Sequence, residues 1–152
     1  MTRPTAPLNV LIVEDEALLA MDLEAMVEDT GHGVVAEAAS LSDVLALGEE
    51  LHPDIAFVDI QLAHGSSGVD VARLISQRWP DTIIVFVTAN PLKIPDDFAG
   101  AHGVIAKPFS HIGLLSAMRY IANSIITPPP YTPAPPSFVA SAAFATAQGN
   151  HA

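Results

Sequence analysis

Five short apolar runs punctuate the chain, and most are followed by a stretch whose apolar residues repeat at helical spacing. The first run, residues 8–13, is followed directly by Glu14-Asp15-Glu16. From Ala17 the period lengthens: Leu19, Leu23 and Met26 share one helical face, Asp22, Glu24 and Glu28 lie off it, and Gly31 is placed to cap the end. Residues 34–38 read as a second strand. Ser40 to Asp43 resembles a capping box with the shorter acid, opening a helix through Val44, Leu45 and Leu51 that His52-Pro53 ends. The third run, 55–60, is apolar except for Asp59 near its end. A loop through Gly65, Ser66, Ser67 and Gly68 leads to a helix marked by Val69, Ala72, Leu74 and Ile75, ending near Trp79-Pro80. Residues 82–87 form the most β-branched run and end at Thr88. After an irregular stretch, 104–106 runs into Lys107-Pro108, and Ser110 can cap a last helix to about Ile126.

Five apolar strands alternating with helical segments predict βαβ units and a parallel sheet covered on both faces. Crossover handedness leaves few topologies, of which the doubly wound order 2-1-3-4-5 is the common one. Residues 1–7 read as a flexible N-terminus, 8–126 as one domain, and 127–152 as a disordered tail. Six prolines lie between 127 and 137, and alanine with small polar residues dominates the rest, a composition poor in material for a core. Pro128-Pro129-Pro130-Tyr131 matches a short polyproline recognition string, of a kind any proline-rich segment contains.

Composition narrows the function. The formal net charge of -11 offers no basic stripe for a nucleic-acid backbone, so direct DNA binding is not expected. There is no cysteine, which excludes disulfides, thiol nucleophiles and cysteine-ligated zinc together. Neither a secretory leader nor a membrane span is legible, and the expected location is cytoplasmic.

In an open parallel sheet, ligands bind beyond the carboxyl ends of the strands, where the winding reverses. For this order the reversal lies between strands one and three. Glu14 and Asp15 end the first and Asp59 the third, so three carboxylates converge there. Mutual repulsion would keep one protonated unless a hard cation joined them, and magnesium suits few carboxylates, several waters and a phosphate oxygen. Thr88 closes strand four with a hydroxyl and Lys107 closes strand five with an ammonium, completing a phosphoryl-transfer constellation with Asp59 as nucleophile. Taken singly, each residue has an ordinary structural explanation, as a helix cap or a loop lysine.

At this point the chain resembles the receiver domain of bacterial two-component response regulators, of the stand-alone type. The resemblance is carried by VLIVEDE at 10–16, DIAFVDI at 54–60, VFVTA at 85–89 and AKPF at 106–109. It implies a flavodoxin-like fold and phosphorylation of Asp59 by a sensor histidine kinase or a phosphotransfer protein. It also implies Mg2+ held directly by Asp15 and Asp59, by Glu14 mainly through water, and by the backbone carbonyl of Gln61. Thr88 and Lys107 would bind the phosphoryl group, and the Lys107-Pro108 bond would be cis. The protein would be a signalling switch and not an enzyme, its activity confined to its own Asp59.

Three departures bear on the output. The loop after Asp59 is slightly long and lacks the common proline. Pro91, Pro95 and Gly100 break up the fourth helix, leaving a poorly stabilised helix or mobile loop between Asn90 and Gly103. Val104 stands where many receivers carry a switching aromatic. A downstream protein, unnamed by the sequence, would read the face made by this irregular segment, the fifth strand and the last helix. Leu114, Leu115, Met118, Ile121 and Ile125 make that helix apolar on more than one side, and the surplus suggests a partner or homodimer surface. The six histidines show no metal spacing. A pseudo-receiver working without phosphorylation is the main alternative. A phosphatase of the haloacid dehalogenase type needs an acid where Gln61 stands, and a flavodoxin needs a phosphate loop where Glu14-Asp15-Glu16 stands.

Overall fold

The computed structural model describes residues 7–126 and 134–147. Its sheet has six strands in the order β2-β1-β3-β4-β5-β6. The first five are Asn9–Val13, Gly33–Ala38, Ile55–Val58, Ile83–Thr88 and Gly103–Ala106. They pair in parallel in the doubly wound order that the alternating pattern predicts.

The short apolar runs become central strands because both sheet faces are covered. Along β1, Val10 and Ile12 face a core closed by α1 (Ala17–Asp29) and α4 (His111–Ile126), while Leu11 and Val13 face one closed by α2 (Leu41–Leu45) and α3 (Gly68–Arg78). Gly31 ends α1 as expected. It adopts φ +88°, which lets Gly31 N–H reach the Glu28 carbonyl and His32 N–H reach the Val27 carbonyl, closing the helix with a paired C-terminal motif. Ser40 caps α2 by accepting from Asp43 N–H at 3.2 Å.

Three sequence expectations need correction. The second helix does not run to Leu51: α2 is five residues long, and a separate 3-10 turn covers Glu49–Leu51 beyond extended Gly48. Arg78 of α3 bonds the Val44 and Leu47 carbonyls at the end of this short helix.

The largest correction concerns the tail. Among the described residues, 134–147 are not a structureless appendage. Val139–Ala140 form β6, which pairs antiparallel with β5, and Ala142–Ala147 form α5, so the sheet gains a sixth strand. Phe138 and Phe144 are 3% and 4% exposed, in the same core as Tyr120 and Met118 of α4. Burying one such ring is worth about 1.5–3 kcal/mol, enough to offset part of the ordering cost that the segment's composition implies. This strap takes up part of the apolar surplus on α4. The polyproline string at 128–131 lies outside the described residues.

The expected irregular fourth helix is replaced by two 3-10 turns, Pro91–Lys93 and Phe98–Gly100. Phe98, Ala99 and Gly100 all have positive φ, and Ala99 and Ala101 are buried. The end near β5 is thus anchored, while Leu92 is fully exposed.

Candidate functional site

Backbone ladders carry the acids to one place. Glu14 N–H continues the β1–β2 ladder to the Ala38 carbonyl at 2.9 Å, and Asp59 N–H continues β1–β3 to the Val13 carbonyl at 2.9 Å. Glu14, Asp15 and Asp59 then offer carboxylate oxygens within 4.8 Å of one another. Glu14 and Asp59 are buried and Asp15 is exposed, so the cluster opens on one side.

Lys107 reaches into the cluster from the end of β5. Its Nζ lies 3.0 Å from Glu14 Oε1 and 3.2 Å from Asp59 Oδ2. Burial works against its ammonium, but the hydrogen bonds and charges of Glu14 and Asp59 outweigh it and hold Lys107 above the usual lysine range. Burial pushes the Glu14 carboxyl above the usual carboxylate range, although the Glu16 N–H and Lys107 bond its charged form. Asp59 beside it adds to the rise. One ammonium shared by two buried acids leaves a net negative site, which suits a divalent cation with oxygen ligands.

Thr88 is buried at the end of β4, beside β5 through the Thr88–Ala106 pair, and Lys107 N–H donates to its carbonyl at 2.9 Å. Its Oγ1 accepts from Asn90 N–H at 3.0 Å, so its own proton remains available to an acceptor. Gln61 is exposed two residues beyond Asp59, in an isolated bridge with Ser67. The Lys107-Pro108 bond is cis.

The site depends on a close approach that sequence reasoning missed. Gly68, first residue of α3, donates to the Ile60 carbonyl at 2.7 Å, and a Cβ there would overlap the Asp59 carbonyl oxygen. The glycine-rich loop had been legible only as a loop. The histidines also do more than the spacing showed. Nδ1 of His32 accepts from Leu8 N–H at 2.9 Å and Nδ1 of His102 from Ile84 N–H at 3.0 Å, so both serve the backbone. His64 is exposed, with φ 59°.

The geometry meets its counterpart in known proteins. Residues 10–119 match the model of the response regulator receiver domain. The chain belongs to that family. Among curated relatives, the phyllosphere-induced regulator PhyR of Methylorubrum extorquens is 38% identical over 66% of this chain and 38% of its own length. The transcriptional regulatory protein PdtaR of Mycobacterium tuberculosis is 32% identical over 78% of this chain and 62% of its own. The chain therefore spans less than two thirds of either relative. The receiver domain of Erythrobacter litoralis PhyR superposes with a TM-score of 0.66 at 30% identity, covering 77% of this chain and 91% of that one. Receiver domains of two-component systems are signalling modules, and Mg2+ is their usual cation. Among the described residues no helix is long and apolar enough to cross a membrane.

Proposed function

We propose that this chain is a phosphoacceptor: Asp59 takes a phosphoryl group from a histidine kinase or phosphotransfer protein with Mg2+ present. The observation that carries this reading is Lys107, whose ammonium bridges Glu14 and Asp59 at the mouth of the acidic cluster. A carboxylate oxygen of Asp59 attacks the phosphorus of a phosphohistidine. An acyl phosphate forms, the phosphorus–nitrogen bond breaks, and the imidazole nitrogen keeps the bonding pair.

Asp15 and Asp59, the Gln61 carbonyl and, through water, Glu14 would hold Mg2+, which when bound neutralises charge on the phosphoryl oxygens. The chain's own groups do the rest. Lys107 exchanges its contact with the Asp59 carboxylate for one with the phosphoryl group, its ammonium still paired with Glu14. Thr88 turns its hydroxyl proton toward a phosphoryl oxygen, accepting from Asn90 N–H as it does so. The neutral Gln61 and Asn90 border the site and set how readily water attacks the acyl phosphate. PhyR of Bartonella quintana, 31% identical over 77% of this chain and 47% of its own, TM-score 0.62, is described as an anti-anti-sigma factor. A protein partner downstream fits that likeness.

The test is intact-mass analysis after incubation with acetyl phosphate and Mg2+. One phosphoryl group should be gained by the parent and by Asp81→Asn, which lies on the exposed surface, and none by Asp59→Asn. Equal labelling of Asp59→Asn would reject the assignment. No labelling of the parent, by acetyl phosphate or by phosphorylated kinases, would favour a pseudo-receiver.

A further inference from the structure

Phosphoryl transfer uses nothing of the C-terminal strap, which is held by two buried rings, Phe138 and Phe144, and by a short strand pairing. Only two residue pairs join β6 to β5, Gly103 with Ala140 and Val104 with Val139. Hydrogen bonds to the body of the domain flank them, Ser141 N–H to the His102 carbonyl at 2.8 Å and Ser137 Oγ to the Gly113 carbonyl at 2.7 Å, while Phe144 N–H to Ser141 Oγ at 3.1 Å braces the strap internally. The anchor is the Phe138 ring over Gly103, where any Cβ would run into the ring.

The strap also underfills its groove. A hollow of about 510 Å³ remains between Pro91, Val104, Pro108 and Gly113 and the strap's own Pro136 and Val139. Val139 borders it yet is 58% exposed, so a larger apolar side chain at that position would gain burial. Among the described residues no charged side chain lines the hollow, although the chain carries a net charge of -11. The hollow begins beside Lys107, at Ala106 and Pro108.

We infer that the β5 edge is a peptide-binding groove which residues 134–147 hold shut in cis. Its occupant in trans is an extended, uncharged segment of a partner protein. That segment pairs antiparallel with β5, sets an aromatic ring over Gly103 and fills the hollow with a bulkier apolar residue. An open strand edge supplies the affinity through backbone hydrogen bonds, and the ring site and hollow supply the selectivity. The tethered strap competes at an effective concentration on the order of millimolar, so only a better-fitting segment displaces it. None of this requires Asp59 to be phosphorylated, and its failure would leave the phosphoacceptor reading standing.

The test uses the full chain and two fluorescein-labelled synthetic peptides, the sequence of residues 134–147 and the same peptide with Val139→Phe. Binding is read by fluorescence anisotropy. The chain has no cysteine, so Gly113→Cys with Ser137→Cys gives a single disulfide lock. A Cβ on Gly113 would lie 3.3 Å from Ser137 Cβ, within a few tenths of an ångström of the usual bridge spacing. The Val139→Phe peptide should bind the parent more tightly than the native peptide does. Both should bind Phe138→Ala about tenfold more tightly than the parent, the cis competitor being weakened. The oxidised lock should bind neither, and reduction should restore binding. Equal binding to oxidised and reduced lock, or no binding to the folded Phe138→Ala chain, would overturn the proposal. Amide exchange on the parent covers the case in which Phe138→Ala does not fold. Amides of residues 138–141 should exchange well before those of β4; equal rates would mean the strap opens only on global unfolding, and the groove would not exist.

Discussion

Replacing Gly68 by alanine should damage both the stability of the domain and the placement of its reactive aspartate. The added Cβ would overlap the Asp59 carbonyl oxygen and lie 2.7 Å from the Asp59 carbonyl carbon and from Ile60 Cα, where ordinary contact begins near 3.4 Å. The Asp59 carbonyl oxygen sets the requirement, and the loop and the start of α3 must part by more than about 1 Å. Neither side yields easily, because Asp59 N–H is tied to Val13 and Gly68 N–H to Ile60. Overpacking of this kind costs about 1–3 kcal/mol, and weakening the 2.7 Å bond adds about 1 kcal/mol. The expected loss is about 2–4 kcal/mol by urea denaturation with an unchanged m-value, accompanied by slower labelling of Asp59 by acetyl phosphate. Gly65→Ala supplies the comparison. Its φ of +71° makes alanine strained, yet no atom lies within 4 Å of the new Cβ, so it should cost only about 1–2 kcal/mol. Should Gly68→Ala prove no more harmful than Gly65→Ala, the close approach does not govern the loop.

Three further outcomes are expected. Burial holds His102 below its ordinary pKa of 6.5, and a proton on Nδ1 would have to displace the Ile84 N–H. The folded state then binds fewer protons than the unfolded one, so His102 should contribute stability above pH 6.5 that is lost as pH falls below it. Asp97, which borders a separate pocket with His102, is held below the usual carboxylate range chiefly by the Ala99 N–H, so its charge does not change over that window. Urea titrations between pH 7.5 and 5 should show a steeper decline for the parent than for His102→Gln; parallel curves would discount the histidine. Lys107→Met should lose about 2–3 kcal/mol by leaving Glu14 and Asp59 without their shared cation. Mg2+ should then raise its melting temperature more than the parent's, and an equal rise in both would contradict the shared-cation account. Thr82→Val should cost about 1–2 kcal/mol in thermal or urea melts, since buried Thr82 Oγ1 donates to the Pro53 carbonyl at 2.6 Å; a neutral result would show that water replaces it.

The doubly wound sheet and its reactive rim were legible because a buried parallel strand must be apolar until the rim. A charged or hydroxyl residue at the end of such a run, as at Glu14, Asp59, Thr88 and Lys107, therefore marks the mouth of the sheet. The strap was illegible for the opposite reason. Its prolines and alanines disfavour a strand, its alanine-rich helix is too short to stand alone, and Phe138 and Phe144 acquire partners only once α4 and β5 stand side by side. The roles of His32 and His102 hide in the same way. Each accepts from a backbone N–H that is near it only in the folded sheet, at separations of 24 and 18 residues. Gly68 could have been noticed as the last glycine before a helix, but the carbonyl it shelters belongs to a residue nine positions earlier.

Closing the sheet with β6 also sets an order of events at the ribosome. Everything that β5 needs on its parallel side exists once residue 106 has been made, but the strand that covers its other side is more than thirty residues away. At ordinary elongation rates of about 5–20 residues per second, the nascent domain spends a few seconds with its last edge bare. The opposite edge, β2, carries the exposed charge of Glu37 throughout, a deterrent to strand addition from neighbouring chains. During those seconds the β5 side has no such charge, and a cell short of chaperones would lose new molecules there first.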